Sequence, residues 1–169
     1  VYIHGTAHDM EDLEFQLTIS DEFGNNWLNH VPVAISGPHL KVSDYSGDLL
    51  PGMDTEITIK LKNQGSQTAS DFTIELVSID NYITVNSGII NSVNIEAGNY
   101  LSLNGFDLSS NNDIINGSIF PMKVLVTSSD GHSRIENFNI TVGEVREDDP
   151  LGPDAYGYYI YDYTDTDYD

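Results

Sequence analysis

The sequence predicts an all-β protein, an antiparallel β-sandwich with flanking partial strands. Three observations predict this fold. Apolar and polar residues alternate through most of the chain, turn residues rich in glycine and asparagine separate the alternating runs, and no long window keeps a helical apolar stripe. Because successive side chains of a strand point to opposite faces, each run places its apolar members on one buried face.

Six alternating runs carry this pattern. They are Leu13–Ile19, Val31–Ile35, Ile57–Leu61, Phe72–Leu76, Phe120–Val126 and Phe138–Val142. Threonine, isoleucine and valine dominate the runs, and half-buried pleated surfaces favour these residues. Asp130-Gly131 lies between the last two runs and is typical of a hairpin turn. Short antiparallel strands with one apolar face predict two stacked sheets.

The two hairpins superimpose without a gap when the chain is shifted by 107 residues (131 minus 24). Leu17 then meets Val124, and the turn residue Gly24 meets Gly131. A repeat of this length is about the size of an immunoglobulin-like sandwich. The repeat predicts an array of such units.

The repeat predicts three parts in a piece cut from a longer protein. Residues 1–37 are the terminal β-hairpin of a preceding immunoglobulin-like repeat, and residues 38–146 are one complete sandwich. Residues 147–169 are an acidic, tyrosine-rich linker and the first strand of a following module. The alternative is that residues 1–145 form one larger sandwich. An isolated hairpin is only marginally stable in water, so we expect residues 1–37 to pack against another part of the protein.

Charge and cysteine content exclude several functions. Lysine and arginine number 6 against 27 acidic residues, a formal charge of −21. Phosphate backbones and anionic lipid surfaces repel such a chain, so we expect no nucleic-acid binding and no docking on a membrane surface. No stretch approaches the length of a membrane span, so we expect no membrane insertion. The absence of cysteine excludes disulfides, zinc–thiolate sites and a cysteine nucleophile.

Residues 50–65 and 69–74 carry a proline–glycine turn, an alternating strand, Asn63-Gln64-Gly65, a small residue and a second strand. This pattern resembles the CARDB and NEW3-like immunoglobulin modules of secreted bacterial proteins, over about residues 40–145. The resemblance implies an immunoglobulin-like fold and a secreted or cell-surface bacterial location. It implies no activity.

The tail resembles a narrower group. Residues 152–162, followed by Thr164-Asp165, look like the linker and first strand that follow such modules in gingipain-like cysteine peptidases. The catalytic His–Cys pair of that family cannot be carried over, because this chain has no cysteine. The resemblance implies a non-catalytic region of a multidomain exported protein.

The tail also predicts a metal site. Residues 147–169 hold eight acidic groups and no lysine or arginine. Ca²⁺ takes six to eight oxygen ligands, several of them carboxylates, so Asp162, Asp165 and Asp167 are candidate Ca²⁺ ligands once the segment curls into a loop. The alternative is a solvated acidic end.

Trp27 follows the turn of the first hairpin and is the candidate ligand-binding residue. Beside Asn25 and Asn26 it could stack on a sugar ring; the alternative is a tryptophan that caps the end of a sandwich core.

No catalytic residue is predicted. Ser129, Asp130 and His132 form a serine–acid–histidine set on paper, but they share one hairpin turn without a nucleophile elbow or oxyanion hole. We therefore predict a non-catalytic accessory, spacer or interaction module whose partners are neighbouring domains of the same polypeptide. The alternative is a Ca²⁺-dependent adhesion or carbohydrate-binding module, with a protein or glycan ligand.

Overall fold

A computed structural model of the chain describes Asp9 and residues 12–165. This part contains ten strands and no helix, so the prediction of an all-β protein is confirmed. The strands are β1 (Asp12–Ser20), β2 (Asn26–Ala34), β3 (Leu40–Ser46), β4 (Asp54–Asn63), β5 (Ala69–Ser78), β6 (Ile83–Ser87), β7 (Ile89–Ile95), β8 (Tyr100–Ser110), β9 (Ser118–Ser128) and β10 (Ser133–Val142).

Eight of these strands form two four-stranded antiparallel sheets. Sheet I has the order β10-β9-β5-β7, and sheet II has the order β3-β4-β8-β6. The two sheets stack as an immunoglobulin-like sandwich, as predicted. Strands β1 and β2 form a separate two-stranded sheet, called here the first hairpin; β9 and β10 are called the closing hairpin.

The core of the sandwich lies between the two sheets. Each of the central strands contributes alternate side chains that are buried, and these are Ile57, Ile59 and Leu61 of β4, Phe72, Ile74 and Leu76 of β5, Phe106 and Leu108 of β8, and Met122, Val124 and Val126 of β9. Burial of one such side chain contributes about 1.5–3 kcal/mol relative to exposure. Burial of the apolar residues of the period-two pattern is therefore the main source of the stability of the sandwich.

Strand β8 lies in the centre of sheet II, yet simple alternation does not reveal it. Leu103 and Phe106 both face the core, three positions apart, because a β-bulge interrupts the register with β4 between Ile57 and Ile59. Gly105 lies in the bulge with φ of +95°, a conformation that glycine adopts at little cost. The bulge shifts the alternation of apolar and polar residues by one position, so the sequence of β8 lacks a continuous period-two pattern.

At one side of the sandwich, Tyr45 connects the two sheets. Its ring packs against Phe138, with ring centroids 5.9 Å apart, and its hydroxyl accepts a hydrogen bond from the Thr141 N–H at 3.0 Å. Tyr45 lies on β3 and the other two residues lie on β10, so this contact joins the edges of sheets II and I.

The first hairpin contributes no side chain to this core. Its strands pair from Asp12↔Ala34 to Ser20↔Asn26, and almost every residue on them is exposed. Ile35, directly after β2, is the first residue of this region to be buried.

The described part of the tail, residues 147–165, turns back on itself where the sequence predicts a strand. Its only β-pairing is an isolated bridge between Leu151 and Ile160. The Asp154 carboxylate accepts hydrogen bonds from the N–H groups of Tyr156 and Tyr158 at 2.8 and 3.0 Å, which closes a turn. No neighbouring strand is available to this segment among the described residues, so its backbone groups bond locally. That it forms the first strand of a following module stays a prediction.

Candidate functional site: the joints of the sandwich

The linker of residues 35–39 joins the first hairpin to the sandwich by crossing the loop between β4 and β5. The Gln64 N–H donates to the His39 carbonyl at 2.7 Å, and the Gln67 N–H donates to the Gly37 carbonyl at 3.3 Å. We call this contact between the linker and residues 63–67, together with Asp9, the first joint. Backbone hydrogen bonds on both sides of Pro38 hold the linker against the end of the sandwich.

Asn63 is the centre of the first joint and is fully buried. Its Oδ1 accepts hydrogen bonds from the N–H groups of His39 and Gly65, each at 3.0 Å. Its Nδ2 donates to the carbonyls of Gln67 at 2.8 Å and Ile95 at 3.0 Å. An amide side chain offers two donors and an acceptor oxygen with two lone pairs, and all of them are used here. One side chain therefore fixes the linker, the loop and the end of β7.

Gly65 allows the linker to approach the loop closely. A Cβ atom at this position would lie 2.3 Å from the Gly37 carbonyl oxygen and 2.5 Å from the His39 nitrogen. Both are backbone atoms, which cannot move aside without displacing the linker. The motif Asn63-Gln64-Gly65 thus has a mechanical role: the asparagine bonds to the linker, and the glycine makes room for it.

Asp9 connects the chain before the first hairpin to the chain after it. One carboxylate oxygen accepts hydrogen bonds from the Gly37 N–H at 2.7 Å and the Ser66 hydroxyl at 2.5 Å. The other accepts from the Ser66 N–H at 3.0 Å. Asp9 therefore bridges both ends of the hairpin and the sandwich loop.

These bonds stabilise the ionised form of Asp9. The Ser66 hydroxyl, then the Gly37 N–H, lower the pKa of Asp9 below its usual value of 3.8, against a smaller opposing effect of burial. A carboxylate that accepts several hydrogen bonds loses them on protonation. The first joint therefore depends on a charged Asp9.

A second joint, between the closing hairpin and the tail, has a matching design. Asn116 precedes β9 and lies 107 residues after Asp9 (116 minus 9). Its Nδ2 donates to the buried carboxylate of Asp149 at 3.0 Å. The other oxygen of Asp149 accepts from the Arg146 N–H at 2.6 Å. At equivalent positions, a polar side chain before each hairpin bonds to the segment that follows that hairpin.

The tail is also held by a tyrosine. The hydroxyls of Tyr159 and Ser118 lie 2.8 Å apart in a hydrogen bond, and Tyr159 is partly buried. The neighbouring tyrosines are exposed instead, and Tyr163 exposes 95% of its surface. Tyr159 therefore anchors the tail, whereas Tyr156, Tyr158 and Tyr163 expose most of their surface.

Trp27 lies on the first hairpin, opposite Ile19, with 53% of its surface exposed. It does not cap the core of the sandwich. Its neighbours Asn25 and Asn26 bond within the turn, to Asp21 and Ser20 respectively. The ring therefore belongs to an exposed apolar face, and its predicted role in binding a sugar stays a prediction.

The predicted Ca²⁺ ligands lie in a turn at the end of the described tail. Asp162 accepts hydrogen bonds from the hydroxyl and the N–H of Thr164 at 2.5 and 2.7 Å, and the hydroxyl, followed by the N–H, lowers the pKa of Asp162. The Asp165 carboxylate accepts from the Asp162 N–H at 2.5 Å. Asp167 lies outside the described residues. Within residues 12–165 and Asp9, no group of three or more histidine, aspartate or glutamate side chains could hold a metal ion. The Ca²⁺ site stays a prediction.

The set of Ser129, Asp130 and His132 builds a turn. The Asp130 carboxylate accepts hydrogen bonds from the Ser128 hydroxyl and the His132 N–H. The His132 ring packs edge-on against Phe72, with centroids 5.3 Å apart, and burial lowers the pKa of His132. These contacts serve the turn between β9 and β10.

Sequence reasoning did not find the joints. It singled out Asn63-Gln64-Gly65 as a family-like motif, but a buried asparagine next to a glycine does not reveal which backbone it binds. Asp9 and Asp149 are two among 27 acidic residues and carry no local signal. The usable signal is the spacing of 107 residues, which relates Asp9 to Asn116 as it relates the two hairpins.

Three solved structures are similar to the chain. The crystal structure of a CARDB domain from Pyrococcus furiosus, in complex with di-metal ions, is 16% identical with a TM-score of 0.38; the match covers 74% of this chain and 99% of that one. The NMR structure of the same domain is 15% identical with a TM-score of 0.38, over 64% and 98%. A conjugative transposon lipoprotein from Bacteroides eggerthii is 15% identical with a TM-score of 0.32, over 61% and 93%.

CARDB domains are thus among the structures to which the chain is similar, and they are also the modules that residues 50–74 resemble. At these TM-scores the likeness carries no functional inference, and the strand pairing itself establishes the sandwich. No family model matches the chain, and no curated protein does. The part of the chain that the structure describes has no helix able to span a membrane. The link to gingipain-like peptidases stays a prediction.

Proposed function

We propose that the chain is a non-catalytic immunoglobulin-like module that spaces and orients neighbouring domains of an exported or cell-surface bacterial protein. The observation that carries the proposal is the pair of joints. A polar side chain before each hairpin, Asp9 or Asn116, bonds to the segment that leaves that hairpin. Such bonds set the direction in which the chain enters and leaves the sandwich.

The first joint supports a rigid connection rather than a flexible one. Flexible linkers are rich in glycine and serine and leave their backbone in solvent. Here the linker makes backbone hydrogen bonds to residues 64 and 67 and packs against Gly65. The exported, bacterial setting rests on the resemblance of residues 50–74 to secreted modules, and association with a peptidase rests on the resemblance of the tail.

Pulsed electron paramagnetic resonance tests the spacing role. The chain lacks cysteine, so Gln16→Cys and Asp113→Cys place one spin label on the exposed face of the first hairpin and one on the sandwich. We expect one narrow distance distribution, which broadens in an Asp9→Ala background and stays narrow in the matched Asp12→Ala background. A broad distribution in the parent chain would contradict the proposal.

The non-catalytic role has its own test. We expect the purified chain to show no turnover of peptide, ester or glycoside substrates. Turnover that survives repurification and follows the protein through an orthogonal column would make the chain an enzyme.

The second candidate is a Ca²⁺-dependent adhesion or carbohydrate-binding module, and the exposure of Trp27 favours it. Calorimetry with millimolar Ca²⁺ and a glycan array test this candidate, with Trp27→Ala as the matched variant. Heat of binding that disappears in Asp162→Asn, or a glycan signal that disappears in Trp27→Ala, would support it. No heat and no signal would remove it.

A further inference from the structure

The first hairpin has two surfaces that no described residue covers. Its apolar face carries exposed side chains from both strands, which are Leu17, Ile19, Trp27, Val31 and Val33. No described strand pairs with the outer edge of β1. An apolar face next to an open strand edge is suited to contact with another protein surface. Burial of the apolar face is favourable, and the unpaired N–H and C=O groups of the edge can pair with another strand.

The closing hairpin is the same structure 107 residues later. The pairs Leu17↔Asn29 and Ile19↔Trp27 of the first hairpin correspond to Val124↔Glu136 and Val126↔Arg134 of the closing hairpin. Every pair in the first hairpin has its counterpart in this way, so the two hairpins share one register.

The turns of the two hairpins also share their hydrogen bonds. In the first hairpin, the Asp21 N–H donates to the Asn25 carbonyl at 3.1 Å, and in the closing hairpin the Ser128 N–H donates to the His132 carbonyl at 3.0 Å. Gly24 and Gly131 donate to the carbonyls of Asp21 and Ser128 at 3.2 and 3.1 Å. Both glycines have positive φ, +83° and +96°.

The sandwich shows what covers a hairpin of this kind. Strand β5 pairs antiparallel with the outer edge of β9, from Phe72↔Ser128 to Ser78↔Met122. The apolar face of β9 packs into the core against sheet II, so that Met122 and Val124 are fully buried. The equivalents of these two residues in the first hairpin are Phe15 and Leu17.

We propose that the first hairpin docks onto an immunoglobulin-like sandwich body that lacks its own last two strands. A strand equivalent to β5 adds antiparallel to the outer edge of β1, and a sheet equivalent to sheet II covers the apolar face. The sandwich of this chain cannot be that partner, since its closing hairpin already occupies the place. This inference deepens the proposed function by naming the partner of the module.

A second copy of the chain fits this surface less well. Two first hairpins packed face to face would bring together two chains of charge −21, which repel each other. Such a pair would also cover the face of each hairpin with two strands, whereas the closing hairpin is covered by a four-stranded sheet.

A transplant within the full chain tests the inference. Residues 119–141 are replaced by a copy of residues 12–34, which keeps the spacing of 107. We expect a folded protein with one cooperative urea transition, at a midpoint at least half that of the parent. The matched control carries residues 13–35 in the same place; this one-residue slip turns the polar face inward, and we expect it to show no transition. Two unfolded transplants, or two equally stable ones, would overturn the inference.

Three measurements on the unaltered chain test the inference without a transplant. We expect the chain to sediment as a monomer, and the outward-facing amides of β1 to exchange hydrogen at least 100-fold faster than their equivalents in β9. We also expect acrylamide to quench Trp27, the single tryptophan, as it quenches a solvent-exposed indole. A dimer that protects β1 and Trp27 would assign the surface to a second copy and overturn the inference. These three results report what covers the first hairpin, whereas the spin-label distances report its orientation relative to the sandwich, so failure here is distinct from failure of the spacing role.

Discussion

The two hairpins of this protein have the same apolar pattern, the same register and the same turn bonds, yet opposite surroundings. Leu17 exposes 48% of its surface, whereas its equivalent Val124 exposes none. Val33 exposes 37%, whereas its equivalent Ile140 exposes none. The difference lies in what covers each hairpin. A pattern of alternating residues specifies which face of a hairpin is apolar, and the rest of the fold decides whether that face becomes a core or an interface.

The two hairpins also show how much stability comes from packing a second sheet against the apolar face of a hairpin. On the inner face of the closing hairpin, the side chains of Met122, Val124, Val126, Ile140 and Val142 are fully buried between the two sheets, and burial of one such side chain contributes about 1.5–3 kcal/mol. The first hairpin lacks this contribution, and a two-stranded hairpin alone is marginally stable in water. Its persistence therefore depends on the first joint and on its turn.

The largest expected difference between the hairpins is in the cost of a truncation. Ile140→Ala leaves a cavity in the core and should lower the free energy of unfolding by about 2–5 kcal/mol. The matched Val33→Ala removes a side chain that is already partly in solvent, and it should change the free energy by less than about 0.5 kcal/mol. Urea denaturation of both variants measures the difference. Equal losses would show that the first hairpin is covered as well as the closing one.

A smaller effect is expected at the first joint, which holds the first hairpin in place. Gly65→Ala drives a methyl group into the linker backbone and should cost about 1–3 kcal/mol, as overpacking does. Gly37→Ala is the matched control, because nothing lies within 4 Å of a Cβ at that position. Limited proteolysis should cut the linker faster in Gly65→Ala than in Gly37→Ala. Identical cleavage rates would mean that the close approach does not hold the linker.

The smallest expected effect is the response of the two turns to acid. Hydrogen bonds from the Asn25 side chain and backbone lower the pKa of Asp21 in the first hairpin. The Ser128 hydroxyl, followed by the His132 N–H, lowers the pKa of Asp130 in the closing hairpin. A carboxyl with a lowered folded pKa stabilises the fold above its unfolded pKa, and this contribution is lost as the pH falls through the folded pKa. Both turns should therefore loosen below about pH 4.

Amide chemical shifts of Asn25 and His132, followed by NMR from pH 6 to pH 2, measure this response. In Asp21→Ala the acid-dependent change at Asn25 should disappear while that at His132 remains. In Asp130→Ala the change at Asn25 should remain, and the change left at His132 should be that of its own ring, whose pKa burial lowers. A change that persists at Asn25 in Asp21→Ala would assign it to another group.

The fold was more predictable than the site. The alternating runs and the turn residue Gly131 locate the closing hairpin and the strands that bury it, since these signals are local. Strand β8 was missed because Gly105 switches its phase, and a bulge is visible only when the partner strand is known. Trp27 was found as an exposed aromatic candidate, but the pattern could not tell an uncovered face from the cap of a core.

By itself, the sequence determined the all-β class, the register of both hairpins, their turns and the strongly acidic surface, because these follow from neighbouring residues or from sums over the chain. The tertiary structure alone decided that Asn63 binds the linker and that Asp9 bridges both ends of the first hairpin. It also decided that β5 covers the outer edge of β9, whereas no described strand pairs with the outer edge of β1. Each of these depends on backbone groups that are far apart in the chain. The alternation of residues specifies which face of a strand is apolar. Only the packing of strands that are distant in the chain decides whether that face is buried.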